Sequence, residues 1–261
     1  MIFLEKINVH FGKGTAAFRV ALNNLDLRIQ EGEFLTVIGS NGAGKSTLLN
    51  TIAGEVIPDS GAIHIDDEIV TNQSTNIRAQ HVARVFQDPV AGTCANLTIV
   101  ENLALAMRRG KSRSLKKAVN SESQILFREL LKPLNLGLEN RLDTLMTMLS
   151  GGQRQAVSLL MATLSPLKIL LLDEHTAALD PKTSKFVMEL TNRIVKEKGL
   201  TTLMVTHSLN QALQYGSRTI MLHEGRLIYD VTGKERSSIT PQDLMHQFGN
   251  TVDNDRLLLN S

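Results

Sequence analysis

The chain has little of what marks a secreted or membrane-spanning protein. Its 261 residues contain one cysteine, which excludes an internal disulfide and indicates a reducing compartment. We expect that residue, Cys94, to be a buried structural thiol. No run of about eighteen apolar residues is present, which argues against a membrane-spanning helix. The start, MIFLEKINVHFGKG, lacks the regions of a signal peptide, so we expect a cytosolic chain.

A strong charge of one sign is also absent, because 28 lysines and arginines are matched by 26 aspartates and glutamates. The formal net charge of +2 gives no reason to expect nucleic acid as a partner. Apolar residues make up 42% of the chain, which is enough for a packed core. The length suits one large domain or a domain with an inserted part.

The order of apolar patterns predicts an α/β fold. Residues 1–87 are mostly strand-like, because IFLEKINVHF and LNNLDLRIQEGEFLTVIG alternate apolar and polar side chains. Residues 88–160 have helical spacing, as in LTIVENLALAMRRG and SESQILFRELLKPLNLG. Strands and helices alternate again over 161–240, where the runs ILLL and LMV are typical of parallel strands covered on both faces.

The end of the chain, about 240–261, is predicted to be a short helix and a tail. Thr240, Pro241 and Asp243 form a helix-start signature there. We therefore predict that 1–261 is a single domain, whose core and β part come from the first and third segments and whose helical part is the second.

The segment GSNGAGKST lies between a strand-like and a helical pattern and matches the phosphate-binding pattern G-x-x-x-x-G-K-S/T. Its glycines let successive backbone N–H groups turn toward a phosphate, and the helix start adds partial positive charge. Lys45 is expected to neutralise β- and γ-phosphate oxygens, and Ser46 to bind Mg²⁺. A chance match is the alternative, but the strand–loop–helix context favours nucleotide binding. The predicted nucleotide-binding residues of this loop are Gly39, Ser40, Asn41, Gly42, Ala43, Gly44, Lys45, Ser46 and Thr47.

Three further apolar strands end in side chains suited to phosphate chemistry. KILLLDE ends in Asp173, which can hold Mg²⁺ through a water, and Glu174, which can act as base on the attacking water. TTLMVTH ends in His207, and VARVF is followed by Gln87. Taken singly, these residues are ordinary strand-end or loop residues. Because α/β proteins bind ligands at the carboxyl edge of the sheet, we expect them to form one site with the phosphate loop.

A second glycine turn, LSGGQ at Leu149–Gln153, completes an ordered set of motifs. With it, the chain resembles the ATP-binding subunits of ABC transporters over nearly its whole length. The other motifs are the phosphate loop, the Q-loop glutamine Gln87, the strand ILLLDE, the D-loop AALD ending at Asp180, and the switch histidine His207. The resemblance implies a P-loop NTPase core with a mixed sheet, an N-terminal antiparallel β subdomain and an inserted α-helical subdomain.

The resemblance also implies an ATPase that uses ATP and Mg²⁺, with Glu174 and His207 as catalytic residues. Phe11 is similar to the aromatic residue that stacks on adenine in this family. Phe18 is the other candidate, and a core phenylalanine is the alternative for both. The implied Mg²⁺ ligands are the oxygen-bearing side chains of Ser46, Gln87 and Asp173.

Two glycine turns in one chain have an explanation in this family, where two subunits pair head to tail. Each ATP lies between one phosphate loop and the partner's signature, so two equivalent composite sites form. The partner is a second copy of the chain or a paralogous ATPase subunit. ATP closes the dimer, and hydrolysis opens it. The signature residues that would contact the partner's ATP are Ser150, Gly151, Gly152 and Gln153.

The family function is solute transport through separate integral membrane permease subunits, with a solute-binding protein as an indirect partner. The resemblance therefore places the chain peripherally at the cytoplasmic face of the inner (cell) membrane. Import is favoured because no transmembrane part is fused, although separate-subunit exporters exist. A soluble ABC ATPase of DNA repair or translation is the alternative, but it usually has a long coiled coil or two cassettes. A nucleotide-sensing regulator would need an effector-binding or DNA-binding module, and we expect the segment after about Ile239 to be too short for one.

Two departures from the family pattern lie near the site. His175 stands where proline is usual, and we expect it to alter the stiffness of the D-loop without direct catalysis. RQAVSLLMATL replaces the commoner QRVAIARAL, as in a bacterial subgroup whose permeases resemble those of branched-chain amino-acid importers. The resemblance also implies that the solute does not touch this subunit. The basic segment RRGKSRSLKK, Arg108–Lys117, is a solvated linker or a patch near anionic lipid headgroups.

Overall fold

The computed structural model describes residues 1–111 and 117–251. The chain divides into two compact units, one formed by Met1–Arg78 together with the chain from Leu200 onward, the other by Ala79–Gly199. The middle of the basic segment, 112–116, lies outside the described residues. The boundaries predicted for the domain parts stay predictions. Within the described ranges, each helix is too short or too polar to cross a lipid bilayer.

The elements are numbered along the chain. The strands are β1 (Ile2–Phe11), β2 (Arg19–Ile29), β3 (Phe34–Gly39), β4 (Ser60–Ile65), β5 (Glu68–Ile69), β6 (Val82–Val85), β7 (Ile169–Asp173), β8 (Thr202–Val205), β9 (Arg218–His223) and β10 (Arg226–Thr232). The helices are α1 (Lys45–Ala53), α2 (Thr75–Arg78), α3 (Ile99–Ala106), α4 (Ser121–Leu131), α5 (Gly151–Ala162), α6 (Pro181–Lys198), α7 (Leu209–Gln214), α8 (Gly233–Ser238) and α9 (Pro241–Thr251). Short 3-10 turns occupy Lys132–Leu134, Leu138–Asn140 and Met146–Met148.

The first unit contains an antiparallel sheet of order β2-β1-β4-β5 and a mixed set of strands. In the mixed set, β3 pairs in parallel with β8 and β9, and β10 is antiparallel to β9. All six residues of β3 are buried, as its apolar run predicts for a strand covered on both faces. The predicted α/β class with a mixed sheet and an antiparallel β layer is confirmed.

Helix α1, which follows the phosphate loop, is fixed at both ends by glycines with left-handed backbone. Gly44 precedes it with φ 104°, and Gly54 ends it with φ 77°. The side chain of Arg78 is fully buried beside that end. Its guanidinium donates to the carbonyl of Thr51 at 2.8 Å and also to the carbonyl of Val70. Arg78 therefore adds a side-chain hydrogen bond to the last turn of α1, where the Thr51 carbonyl also accepts from the N–H of Gly54.

The second unit contains the parallel pair β6 and β7, together with helices α3 to α6. The first four residues of β7 are buried, as expected for the apolar run ILLL. Both α5 and α6 begin at residues suited to capping. The Ser150 hydroxyl accepts from the N–H of Gln153 at the start of α5, and the Asp180 carboxylate accepts from Thr183 N–H at the start of α6.

The prediction of a buried Cys94 is wrong, because this thiol is exposed. Cys94 lies in the loop before α3, where the buried side chain of Asn102 holds its backbone. The Asn102 amide accepts from the N–H of Cys94 at 2.8 Å and donates to its carbonyl at 3.0 Å. The loop is thus anchored through its main chain, and the thiol is not needed for packing.

His175, which replaces the proline usual in this family, is a buried part of the second unit with an exposed fraction of 2%. Its Nε2 atom lies 3.0 Å from the Thr191 hydroxyl on α6. That hydroxyl donates its hydrogen to the carbonyl of Val187 at 2.8 Å, so it accepts from His175 Nε2–H. Burial lowers the pKa of His175 to about 4, and the ring is therefore neutral at pH 7.

Acid is expected to destabilise the fold through His175. Between pH 6.5, its ordinary pKa, and about 4, the unfolded chain binds a proton that the folded chain does not. The free energy of unfolding therefore falls as the pH falls through this window, by about 3 kcal/mol in total. The variant His175→Gln retains a donor for Thr191 but cannot titrate. In urea unfolding between these pH values, we expect it to take up about one proton fewer than the parent on unfolding.

The control variant is His246→Gln, which removes an exposed histidine of α9 and leaves His175 in place. This variant shows how much of the change in pH dependence follows from removing any histidine. An identical dependence in the His175 variant and the parent would show that His175 does not titrate on unfolding.

Candidate active site

The phosphate loop joins β3 to α1, as the sequence predicts, and close main-chain contacts require two of its glycines. A Cβ atom at Gly39 would lie 2.4 Å from the carbonyl oxygen of Leu222. At Gly44 it would lie 2.5 Å from the carbonyl oxygen of Ala21. These approaches press the loop against two neighbouring strands, which holds its backbone in one conformation.

Lys45 is the buried cation of this loop, with an exposed fraction of 6%. Its Nζ atom donates to the carbonyl of Gly39 at 2.7 Å and to that of Ser40 at 2.8 Å. Ser46, the next residue, is exposed in the first turn of α1. The loop thus combines a desolvated ammonium, a helix start and an exposed hydroxyl, which together suit a phosphate with a bound metal ion.

His207 lies at the same edge of the first unit as the phosphate loop. Strand β8 runs parallel to β3 with Val205 opposite Val37. Beyond that pair, β3 leads into the phosphate loop and β8 leads to His207. The N–H of Thr206 donates to the carbonyl of Val37 at 3.2 Å, which extends the pairing by one step. His207 itself is exposed. The structure therefore brings His207 and the phosphate loop to one sheet edge, as predicted from the parallel strands.

The two candidate adenine-stacking residues have different surroundings at the ends of β1 and β2. The ring of Phe11 is half-buried, with the guanidinium carbon of Arg19 at 5.1 Å from its centroid. Phe18 is 53% exposed and stacks on His10 with ring centroids 5.7 Å apart. The core alternative is therefore wrong for Phe18, and stacking on adenine stays a prediction for Phe11.

The second unit brings Gln87, Asp173 and Glu174 to one edge. Strands β6 and β7 are parallel with Val85 opposite Leu172, so these residues follow neighbouring strand ends. Glu174 has φ 45°, which is uncommon for a residue other than glycine. Such a backbone costs about 1–3 kcal/mol and is typical of functional positions.

Asp173 has a partner that the sequence reasoning missed. Its Oδ2 atom lies 2.6 Å from Nη2 of Arg84, and the two side chains are 15% and 11% exposed. A charged residue within the apolar strand VARVF was the available signal, because a buried charge needs an opposite charge nearby.

The predicted Mg²⁺ ligands are a hydroxyl, an amide and a carboxylate, which are oxygen donors of the kind Mg²⁺ prefers. Ser46 belongs to the first unit, whereas Gln87 and Asp173 belong to the second. Ser46 and Gln87 are exposed, and Asp173 is the last residue of β7. The chemistry of this donor set fits Mg²⁺.

The signature turn packs against the D-loop and the start of α6 within the second unit. A Cβ atom at Gly152 would lie only 2.1 Å from Cγ2 of Thr183. At Gly151 it would lie 3.2 Å from Cδ2 of Leu179. Gly152 is buried and Gly151 is exposed. A larger residue at 152 would therefore force the Thr183 side chain to move, so the packing on α6 favours glycine there independently of any phosphate contact.

The signature serine and the D-loop aspartate both act as helix caps. Ser150 and Gln153 form a reciprocal capping box at the start of α5, with distances of 3.3 and 3.1 Å. Hydrogen bonds from Thr183 lower the pKa of Asp180 at the start of α6. These caps fix the first turns of the two helices that meet at Gly152.

Comparison with known proteins identifies the family. The family model of the ABC transporter matches residues 22–177. The tyrosine transport ATP-binding protein of Clostridioides difficile (strain R20291) is 48% identical over 248 residues, covering 95% of this chain and 98% of that protein. The thiamine import ATP-binding protein ThiQ of Yersinia pestis is 35% identical over 230 residues, covering 88% of this chain and 89% of that protein.

A solved structure agrees with these relatives. The dimeric, post-hydrolysis structure of the ATP-binding cassette MJ0796 bound to ADP and Pi superposes with a TM-score of 0.75 at 32% identity. It covers 89% of this chain and 98% of that chain. The chain belongs to the ABC transporter family, as an ATP-binding subunit with ATPase activity.

Proposed function

We propose that this chain binds Mg²⁺-ATP at its phosphate loop and hydrolyses it to drive import of an amino acid through a separate permease. The observation that carries the proposal is the loop Gly39–Thr47, whose buried Lys45 lies among main-chain groups at the start of α1. Import is supported by the names of the relatives, and an amino-acid solute by the 48% identical protein named for tyrosine.

In the proposed chemistry, the loop N–H groups and Lys45 bind and neutralise the β- and γ-phosphates. Ser46, Gln87 and Asp173 hold Mg²⁺, which when bound neutralises phosphate charge. Phe11 stacks on the adenine. These groups bind and orient the nucleotide, and they leave activation of the attacking water to other residues.

Glu174 is the proposed general base, which takes the proton from the attacking water. Its left-handed backbone conformation, directly after β7, sets the direction of its Cα–Cβ bond. His207 is the second proposed catalytic residue and reaches the γ-phosphate from the end of β8. Both follow parallel strands, so two rigid elements hold the two groups that act on the reacting phosphate.

Two copies of the chain, or this chain and a paralogous subunit, are proposed to close on two ATP molecules. Ser150, Gly151, Gly152 and Gln153 of one copy face the ATP of the other, and Asp180 lies in the D-loop beside them. The dimeric relative supports this arrangement. The pair acts at the cytoplasmic face of the membrane on permease subunits, which receive the solute from a solute-binding protein.

Replacing Lys45 tests the phosphate loop. Lys45→Met retains the aliphatic stem and removes the ammonium, so binding of a fluorescent ATP analogue and phosphate release are both expected to collapse. Lys198→Met is the matched control, because Lys198 Nζ also donates to a main-chain carbonyl, that of Thr163, at 2.7 Å. The control is expected to bind ATP normally, and equal losses in both variants would refute the assignment.

The same Lys45 variant tests the solute. Cells in which it replaces the parent chain are expected to lose uptake of labelled tyrosine, because the permease is left without its ATPase. Full tyrosine uptake, together with lost ATP binding by the purified variant, would exclude this amino acid as the solute and leave the ATPase assignment intact.

Replacing Ser150 tests whether the signature serves the partner's ATP. Asp and Asn are both good helix caps, so Ser150→Asp and Ser150→Asn retain the start of α5. Only the first adds a negative charge where the partner's γ-phosphate would lie. We expect Ser150→Asp to abolish ATP-dependent dimers in size exclusion while monomers still bind ATP, and Ser150→Asn to retain dimers. Loss of monomer binding in the Asp variant would mean that the signature serves its own nucleotide.

Replacing Glu174 tests the general base. Glu174→Gln has nearly the same size but cannot take a proton, so hydrolysis is expected to slow by about 10²- to 10⁴-fold. ATP binding survives, and the dimer accumulates in size exclusion because the γ-phosphate persists. Asp173→Asn is the contrasting variant, expected to weaken Mg²⁺-nucleotide binding without a trapped dimer. Hydrolysis at the parental rate by Glu174→Gln would exclude this role.

A further inference from the structure

Arg84 is a charged residue inside a short, otherwise buried parallel strand. On β6 it is paired in register with Leu171 of β7, and Asp173 is two residues further along β7. Because side chains alternate along a strand, Leu171 and Asp173 lie on the same face of the sheet. The guanidinium of Arg84 spans this diagonal and reaches Asp173 Oδ2 with its Nη2 atom at 2.6 Å.

A second contact holds the same guanidinium in place. Its Cζ atom lies 4.8 Å from the centre of the Phe86 ring, a cation–π distance. Phe86 immediately precedes Gln87, the residue at the end of the strand. Arg84 is therefore fixed by an aromatic face and a carboxylate, both at the edge where the proposed Mg²⁺ ligands of this unit lie.

The pair is mostly removed from water, since only 11% of the Arg84 side chain and 15% of the Asp173 side chain are exposed. At such burial an ionised carboxylate needs a cation nearby, and losing one partner leaves the other charge uncompensated. Arg84 provides that cation within the chain itself. A divalent metal ion at Asp173 would meet a carboxylate whose charge is already balanced.

We propose that Arg84 is the counter-ion of Asp173 and competes with Mg²⁺ for it, so that Arg84 sets the Mg²⁺ concentration at which nucleotide is bound. This inference rests on the proposed assignment of Asp173 to the metal. The guanidinium and Mg²⁺ repel each other and share one carboxylate, so each weakens the other's hold on Asp173. Arg84 is thus a positioning residue that acts on the nucleotide site through Asp173.

The test is a Mg²⁺ titration of fluorescent ATP analogue binding, in the Glu174→Gln background to prevent hydrolysis. Arg84→Met, which removes the charge and retains most of the side-chain length, is expected to lower the Mg²⁺ midpoint about tenfold. Arg84→Gln, a smaller neutral side chain, is expected to do the same, and Arg84→Lys to stay near the parental midpoint. A midpoint in both neutral variants that is unchanged or higher would overturn the proposal.

The matched control is Arg218→Met in the first unit, where Arg218 Nη2 lies 2.6 Å from Asp230 Oδ2. Both Arg→Met variants are expected to unfold at a lower temperature than the parent without nucleotide, because each loses an ion pair. Saturating Mg²⁺-ATP is expected to raise the unfolding temperature more in Arg84→Met than in the parent, and by the parental amount in Arg218→Met. An equal rise in all three proteins would count against competition at Asp173.

Asp173→Asn separates this inference from the proposed function. If this variant raises the Mg²⁺ midpoint while the neutral Arg84 variants do not lower it, Asp173 holds the metal and only the competition is refuted. If the midpoint is the same in Asp173→Asn and the parent, the assignment of Asp173 to Mg²⁺ fails, and with it the basis of the inference.

Discussion

The need to keep buried charges balanced governs the residues around the candidate site. Three buried or mostly buried charged groups have acceptors or donors within their own units: Lys45 has loop carbonyls, Arg78 has the carbonyls at the end of α1, and Asp173 has Arg84. These bonds hold the loop, the helix and the strand end where the chemistry needs them. Lys45 and Asp173 are also the groups proposed to bind phosphate and metal, and in that proposal nucleotide binding would exchange their internal partners for the ligand.

A second constraint is the stiffness of the segment between Glu174 and α6. His175 bonds to Thr191 near the middle of α6, and Asp180 caps the helix at its start. The signature glycine Gly152 packs on Thr183 in the first turn of the same helix. One helix thus supports both the proposed base for the chain's own ATP and the turn proposed for the partner's ATP. A shift of α6 would therefore affect both proposed functions at once.

The sequence was sufficient for those features that depend on local pattern. The strands ending at Gly39, Asp173 and Val205 and the helix starting at Lys45 follow from apolar runs, glycine turns and caps, and the structure has them. The features that were missed or mistaken depend on long-range contacts. The Arg84 pair joins residues 89 positions apart, and the packing of Gly152 on Thr183 joins two helices. The loop of the exposed Cys94 is held by the Asn102 side chain, a contact that no pattern near the cysteine reveals.

His175 illustrates how one constraint is met by different chemistry. Proline, usual at this position in the family, fixes φ through its ring and needs no partner. A histidine leaves φ free, so its position depends on burial and on the bond from Nε2 to Thr191. The buried ring is neutral only while the pH stays above the pKa of about 4 to which burial lowers it. Any stiffness that His175 gives the D-loop therefore depends on its packing against α6, whereas the effect of a proline would be a property of the local chain.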